Sequence, residues 1–196
     1  TVQFPKTYSI KEDFIVNGRS EFGTGTIYEL VSEDYTDAVE YDIISPFELG
    51  AGFSVNFKGL IFSAEGTIVD YSQIEFDNPN GLTESYIAGL NRDIKDQLRS
   101  VVNYNLGLEY TIPQVGLRIR GGYFVKPSAY KDDPSRFDKK YFTAGLGFLA
   151  DGTIGIDLAY VRGLWEDFGD NYGQNVSRTN QEIAVDHIIL TGIYRF

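Results

Sequence analysis

The chain has 196 residues, 42% of them apolar, so it is long enough for one folded domain and too apolar for a disordered segment. Its formal net charge of −11 disfavours nucleic acid as a partner, because phosphate backbones are bound by clustered Lys and Arg. The absence of cysteine excludes disulfides and thiolate chemistry. No stretch approaches the roughly 18 continuous apolar residues of a membrane helix, so the chain is expected to be either a soluble protein or a membrane β-barrel.

The first part of the chain predicts strands at Phe4–Val16 and Ser20–Val31. Asn17-Gly18 between them favours a two-residue hairpin turn, because both residues tolerate positive φ. A long strand is predicted over Ala38–Phe57, with a kink at Pro46. Apolar residues occupy every second position in its latter half, which indicates a strand with one apolar and one polar face.

The central part of the chain continues this pattern. Lys58-Gly59 is predicted to turn the chain into a strand over Leu60–Phe76. Asp77–Gln97 is predicted to be a long connection that contains a short helix, Glu84–Gln97. The next strand is predicted over Leu98–Thr111, where apolar and polar residues again alternate.

The last part predicts four more strands: Val115–Val125, Lys139–Leu149, Thr153–Trp165 and a terminal strand within Glu182–Phe196. Short connections such as Asp151-Gly152 alternate with long polar ones, Lys126–Asp138 and Glu166–Gln181. This alternation of lengths, with aromatic residues gathered at strand ends, is typical of outer-membrane barrels, which have short periplasmic turns and long outer loops.

These patterns predict an all-β fold, an antiparallel up-and-down transmembrane β-barrel with eight or nine strands and a short helix in one outer loop, as a single domain over residues 1–196. The terminal strand ends at Phe196 with Tyr194 two positions before it, which resembles the closing strand of a bacterial outer-membrane barrel. Alternation does not say which face is inside, so a soluble lipocalin-like barrel with an apolar interior is the alternative.

Two longer stretches carry a family resemblance. SPFELGAGFSVNFKGLIFSAEGTIVDYSQIEF (Ser45–Phe76) and LNRDIKDQLRSVVNYNLGLEYTIPQVGLRIRGGYFVKPSAY (Leu90–Tyr130) resemble successive hairpins of the long-chain fatty acid transporter (FadL/TodX) family of bacterial outer-membrane β-barrels. Lys139–Trp165 and the terminal strand follow in the family's order, so the resemblance covers about Ala38–Phe196.

The resemblance implies a fourteen-stranded barrel, plugged by an N-terminal hatch, that passes hydrophobic molecules across the outer membrane. The hatch with its Asn-Pro-Ala start is not in this chain. We therefore expect the chain to be the C-terminal portion of a longer barrel, with an eight-stranded closure as the alternative.

The polar faces of the predicted strands carry charges of both signs, which predicts cross-strand ion pairs. The charged residues are Glu48, Glu65, Glu109, Asp157, Arg99, Arg118, Arg120 and Arg195. A sharper hypothesis is that Arg118 and Arg120 meet the carboxylate of an amphipathic cargo. The candidate ligand-binding set is Arg118, Arg120, Glu109, Val101, Ile189 and Ile193, the last two and Val101 contacting the apolar part of the cargo.

The function predicted is passive uptake of hydrophobic small molecules, such as long-chain fatty acids or aromatic hydrocarbons, across a bacterial outer membrane. The chain has no nucleophile elbow, phosphate loop or His pair, so we expect no enzyme activity, cofactor or metal. The expected partners are the cargo, outer-membrane lipid and lipopolysaccharide, and the barrel-assembly machinery through the strand that ends at Phe196. A soluble carrier and a structural or general-porin barrel are the alternatives.

Overall fold

The computed structural model describes residues 1–15, 19–23, 25–29, 36–150, 153–170 and 178–194. Every strand pairing in these ranges is antiparallel, which confirms the prediction of an all-β antiparallel fold. The strands are β1 (Val2–Gln3), β2 (Thr7–Ile15), β3 (Arg19–Phe22), β4 (Thr26–Glu29), β5 (Thr36–Ile44), β6 (Glu48–Phe57), β7 (Leu60–Asp70), β8 (Glu75–Asn80), β9 (Ser100–Ile112), β10 (Leu117–Lys126), β11 (Lys139–Ala150), β12 (Ile154–Asp170) and β13 (Arg178–Tyr194). The α-helix α1 (Glu84–Gln97) has the predicted bounds, and two 3-10 turns lie at Tyr71–Gln73 and Ser135–Phe137.

The chain forms two compact units. The first comprises Thr1–Gln3, Glu48–Tyr71 and Leu98–Phe196, and its described strands make one sheet in the order β1-β6-β7-β9-β10-β11-β12-β13. From β9 onwards each strand pairs with the next one along the chain, as in a meander. This eight-stranded sheet is open, with β1 at one edge and β13 at the other. The single barrel domain over residues 1–196 stays a prediction.

The second unit comprises Phe4–Phe47 and Ser72–Gln97, with the sheet β2-β5-β8, the hairpin β3-β4 and the helix α1. Its buried apolar residues within the described ranges are Val39 on β5, Ile87 on α1 and Pro46 after β5. Asn91 ties the helix to β8, because its side chain accepts from the Phe76 N–H and donates to the Phe76 carbonyl, both at 2.8 Å. The helix is thus held by polar as well as apolar contacts.

The prediction of one strand over Ala38–Phe57 was wrong. Ser45, Pro46 and Phe47 interrupt it, and the two halves, β5 and β6, belong to different sheets. Proline has no N–H to donate to a strand ladder, which explains why the strand ends there and does not continue with a kink. The predicted strand Ser20–Val31 was also wrong, because β3 and β4 form a short hairpin in its place.

Other predicted boundaries shift as well. Within the predicted strand Leu60–Phe76, β7 ends at Asp70, and β8 then runs into the predicted connection. Most of the predicted loop Glu166–Gln181 is strand, since β12 and β13 stay paired from Glu166↔Glu182 to Asp170↔Arg178. With thirteen described strands, the estimate of eight or nine was too low, although the main sheet has eight. The predicted turns Asn17-Gly18 and Asp151-Gly152, together with Val31, Arg195 and Phe196, lie outside the described residues.

The turn between β6 and β7 requires its glycine. Lys58 and Gly59 have φ values of 49° and 88°, and the Gly59 carbonyl accepts from the Thr111 N–H at 3.0 Å. We expect Gly59→Ala to lower the free energy of unfolding by about 1–2 kcal/mol, because a Cβ is strained at this φ. The measurement is a urea unfolding curve followed by circular dichroism. Gly66→Ala is the control, since a Cβ there meets only Val102 at an ordinary 3.8 Å, and an equal loss in both variants would contradict the expectation.

Asp42 in the second unit makes this part of the chain sensitive to acid. The Ser9 hydroxyl and the Asn78 amide donate to its two carboxylate oxygens at 2.5 and 2.6 Å, and these bonds lower the pKa of Asp42 below its ordinary value. A lowered folded-state pKa adds stability that is fully present above the unfolded pKa of about 4 and is lost as the pH falls through the folded value.

We therefore expect the amides of β2 and β5 to lose protection from hydrogen exchange as the pH falls below about 4. Exchange followed by mass spectrometry and corrected for its intrinsic pH dependence measures this. Asp42→Asn keeps the size of the side chain and removes the titration, so its protection should change less over the same pH range. Equal pH dependence in the two proteins would show that Asp42 is not the cause.

Candidate functional site

The eight-stranded sheet has two chemically different faces. Cross-strand pairing places six apolar residues in one row on what we call the apolar face: Leu60, Tyr110, Ile119, Leu146, Leu158 and Leu190. The adjacent row on the opposite side, the polar face, contains Ile61, Glu109, Arg120, Gly145, Ala159 and Ile189. The predicted alternation of Val102, Tyr104, Leu106, Leu108 and Tyr110 is therefore confirmed as one shared face.

The apolar face is the more exposed of the two. Every second residue of β11 from Phe142 to Phe148 is exposed, whereas those between them are half-buried or buried. Leu146 is 50% exposed and Leu190 is 73% exposed. Apart from Pro46, the buried apolar side chains of the described residues are Val39, Val69, Ile87, Val101 and Val125. A water-soluble sheet places most of its large apolar side chains in a core, whereas this sheet has them on its more exposed face.

Four charged side chains meet on the polar face. The Arg120 guanidinium donates from Nε to Glu109 Oε2 and from Nη1 to Asp157 Oδ1, both at 2.6 Å. Arg118 Nη2 lies 3.8 Å from the same Asp157 oxygen. Glu109 stands directly opposite Arg120 in the register of β9 and β10, whereas Asp157 reaches the arginines from β12 across β11. We call Glu109, Arg118, Arg120 and Asp157 the ion-pair network.

A glycine makes this reach possible. Gly147 on β11 lies between Arg118 and Asp157 in the same cross-strand row. A Cβ built on Gly147 would collide with Asp157 Oδ1 and stand 3.4 Å from Arg118 Nε. The Asp157 side chain thus crosses the empty position above Gly147, and any larger residue there would displace the carboxylate.

The candidate binding residues separate into two groups. Arg118, Arg120 and Glu109 come together, and the predicted cross-strand ion pairing is confirmed for them. Val101 is buried opposite Val69, eight positions along β9 from Glu109. Ile189 and Ile193 lie exposed on the polar face of β13. Ile189 is in the row of Arg120 but three strands away, roughly 14 Å at the usual strand spacing. Their joint role in binding stays a prediction.

Two features of the polar face were missed from the candidate set. Asp157 was assigned to this face but not to the site, because only the register across β11 shows that it shares Arg120 with Glu109. Phe124 and Tyr141 also occupy polar-face positions, where they stack on each other. The sequence contained a signal for this, because Phe124 and Tyr141 fall between the alternating apolar residues of their strands, at positions where the other residues are mostly polar or Gly.

Some possibilities find no support in the described ranges. No group of three or more His, Asp or Glu side chains there is placed to hold a metal ion. Likewise, none of the described helices has both the length and the apolar character needed to cross a membrane.

Comparison with family models, curated proteins and solved structures finds no match to this chain. The fold and the two faces therefore carry the functional argument.

Proposed function

We propose that this chain is part of an outer-membrane β-barrel for the passive uptake of hydrophobic small molecules, such as long-chain fatty acids or aromatic hydrocarbons. One observation carries the proposal, namely the exposed apolar face of the eight-stranded sheet. Large apolar side chains cover this face across its strands, as the lipid-facing residues of a membrane barrel do. The resemblance to the fatty acid transporter family is consistent with this function.

The polar face supports the other half of the proposal. The network of Glu109, Arg120 and Asp157 satisfies charges on the less exposed side of the sheet, as expected where a sheet curves around a lumen. The same face also carries Val69, Val161 and Ile189. Apolar side chains on the same face as a neutralised charge cluster would favour an amphipathic or hydrophobic cargo over a strongly hydrated one.

Uptake through such a lumen needs no covalent step. Apolar burial would supply affinity, and the concentration gradient of the cargo would set the direction. In this proposal the apolar face contacts outer-membrane lipid and lipopolysaccharide. The barrel-assembly machinery would recognise the C-terminal strand, β13. An open sheet of eight strands also fits the idea that further strands complete the barrel.

The first test is the behaviour of the purified chain with and without mild detergent. The expected result is a folded species that requires detergent and migrates differently on a gel before and after heating. Liposomes containing that species should then take up labelled oleate faster than labelled glucose. A structural or general-porin barrel would show no such preference. A monodisperse protein in plain buffer would overturn the membrane proposal in favour of the soluble carrier.

A further inference from the structure

Three aromatic side chains gather on the polar face. Two of them lie near the strand ends that flank the long connection between β10 and β11, and the third lies on β12. The rings of Phe124 and Tyr141 are stacked, with centroids 4.3 Å apart and planes 8° from parallel. The Trp165 ring lies 6.1 Å from Tyr141. We call Phe124, Tyr141 and Trp165 the aromatic cluster. All three side chains are half-buried, so part of each ring surface stays open.

A lipid interface does not explain this cluster. Tyr123 and Phe142, the adjacent cross-strand pair, lie on the apolar face with centroids 4.9 Å apart, where the girdle of a membrane protein would place them. Phe124 and Tyr141 form the next pair along the same two strands and therefore point to the opposite side. The two strands thus carry aromatic pairs on both faces, and only one of these pairs can meet lipid.

The backbone beneath the cluster accommodates the middle ring. Gly163 is paired with Tyr141, and a Cβ built on Gly163 would stand 2.6 Å from the Tyr141 ring. The ring therefore lies across the glycine, between Phe124 and Trp165. The result is a continuous aromatic surface across β10, β11 and β12 on a face that is otherwise rich in Gly, Ser and Thr.

Positive charge borders this surface. Lys139 Nζ lies 5.3 Å from the centroid of the Trp165 ring. Lys139 is exposed, and no carboxylate of the described residues pairs with it. The ammonium group of Lys139 is thus available beside the aromatic cluster.

We propose that the aromatic cluster binds an aromatic carboxylate. The planar ring of the ligand packs against Tyr141 and Trp165, and its carboxylate pairs with Lys139. The stacked rings offer a flat surface that favours a planar ligand. The Lys139 ammonium group, which pairs with no carboxylate of the described residues, favours a negatively charged one. This inference deepens the proposed uptake function by naming one class of cargo and a place where it rests on the polar face.

Trp165 is the single tryptophan of the chain, so its fluorescence reports directly on the cluster. The experiment titrates the folded protein with 2-naphthoate and follows the tryptophan emission. We expect saturable quenching. The neutral 2-naphthylmethanol should bind about three- to tenfold more weakly, since it cannot pair with Lys139. Decanoate, an acid without a ring, should be similarly weak. Free N-acetyltryptophanamide in the same detergent measures the collisional background.

Matched variants locate the binding. Tyr141→Leu and Phe124→Leu should each weaken 2-naphthoate binding about three- to tenfold, the range expected for one aromatic contact. Phe142→Leu removes an aromatic ring from the neighbouring position on the opposite face and should leave the affinity within twofold of the wild-type value. Lys139→Gln should abolish the preference for naphthoate over naphthylmethanol and have little effect on the neutral ligand.

Two results would overturn the inference: quenching that does not saturate, or Phe142→Leu weakening binding as much as Tyr141→Leu does. If the Leu variants fail to fold, the inference is tested by the two ligands alone: the preference for naphthoate over naphthylmethanol must be present in the wild-type protein and absent in Lys139→Gln. The heat-shift gel on the same samples separates this inference from the proposed function. A folded, detergent-requiring protein without saturable quenching ends only this inference. A detergent-independent protein that binds naphthoate ends the membrane proposal and keeps this one.

Discussion

Leu106→Arg and Leu146→Arg are each expected to deprive the protein of its folded, detergent-stable form. Both leucines lie on the apolar face, where they are 43% and 50% exposed. In a lipid-facing position a guanidinium would have to leave water, which costs about 2–4 kcal/mol near the middle of a bilayer. That is a large part of the stability of a single domain of ordinary size. The loss should appear as a missing heat-shifted band after refolding into detergent or liposomes.

The matched control for Leu106→Arg is Asn105→Arg. Asn105 is the preceding residue of β9 and therefore lies on the polar face, where its amide donates to Glu65 at 3.4 Å. An arginine at this position stays beside a carboxylate and, in the proposed orientation, within the lumen. We expect Asn105→Arg to fold in detergent like the wild-type protein.

The pair of variants tests the orientation of the sheet directly. Efficient folding of Leu106→Arg in a bilayer, or equal loss in Leu106→Arg and Asn105→Arg, would refute the assignment of the apolar face to lipid. A soluble barrel with this face inside would also be damaged by Leu106→Arg, but its wild-type form would need no detergent. The detergent requirement of the wild-type protein must therefore be measured first.

Gly147→Ala is expected to disconnect the ion-pair network. Its new methyl group would occupy the space of the Asp157 carboxylate, which would then lose its 2.6 Å contact with Arg120. Asp157 and Arg120 are 18% and 36% exposed, so water compensates in part for the broken contacts. We expect the free energy of unfolding to fall by about 1–3 kcal/mol, measured by urea unfolding in detergent micelles.

Gly145→Ala is the control, two positions away on the same strand and the same face. A Cβ at Gly145 meets the Leu158 carbonyl oxygen at 3.4 Å and Arg120 Cβ at 3.6 Å, both within ordinary contact. We expect this change to alter the free energy of unfolding by less than about 0.5 kcal/mol. Equal losses in the two alanine variants would mean that the strand itself, and not the carboxylate, responds.

A double-mutant cycle isolates the cause. In a protein that already carries Asp157→Ala, the carboxylate is absent and the methyl group of Gly147→Ala meets nothing that must move. The second substitution should then cost much less than it does alone, which gives a coupling energy of about 1 kcal/mol or more. Additive effects would show that Gly147 is needed for a reason other than the position of Asp157.

Part of the structure was predictable from the sequence because the signal is local. The alternation through Leu106, Leu108 and Tyr110 predicts a strand and assigns these residues to one face, since side chains of a strand alternate with a period of two. The helix Glu84–Gln97 and the turn at Lys58-Gly59 depend on neighbouring residues as well, and both are where the sequence placed them. Such features can be predicted without knowledge of the rest of the fold.

The errors have a common physical origin. Ala38–Phe57 contains strand-forming residues on both sides of Pro46, and the local sequence does not indicate that the two halves join different sheets. The polar residues of Glu166–Gln181 suggested a loop, yet much of this segment is strand, because backbone pairing between β12 and β13 continues beyond the apolar region. Sheet membership and strand length depend on a partner elsewhere in the chain, which local composition does not specify.

The sequence by itself determined the two faces of each strand and placed Arg118, Arg120 and Glu109 on the same one. Only the tertiary structure decided that Arg120 lies between Glu109 and Asp157, and that Phe124, Tyr141 and Trp165 meet. These contacts join residues 11 to 37 positions apart, and each depends on the register between strands. Register is a property of whole paired strands, because a shift by one residue would move every side chain to the other face.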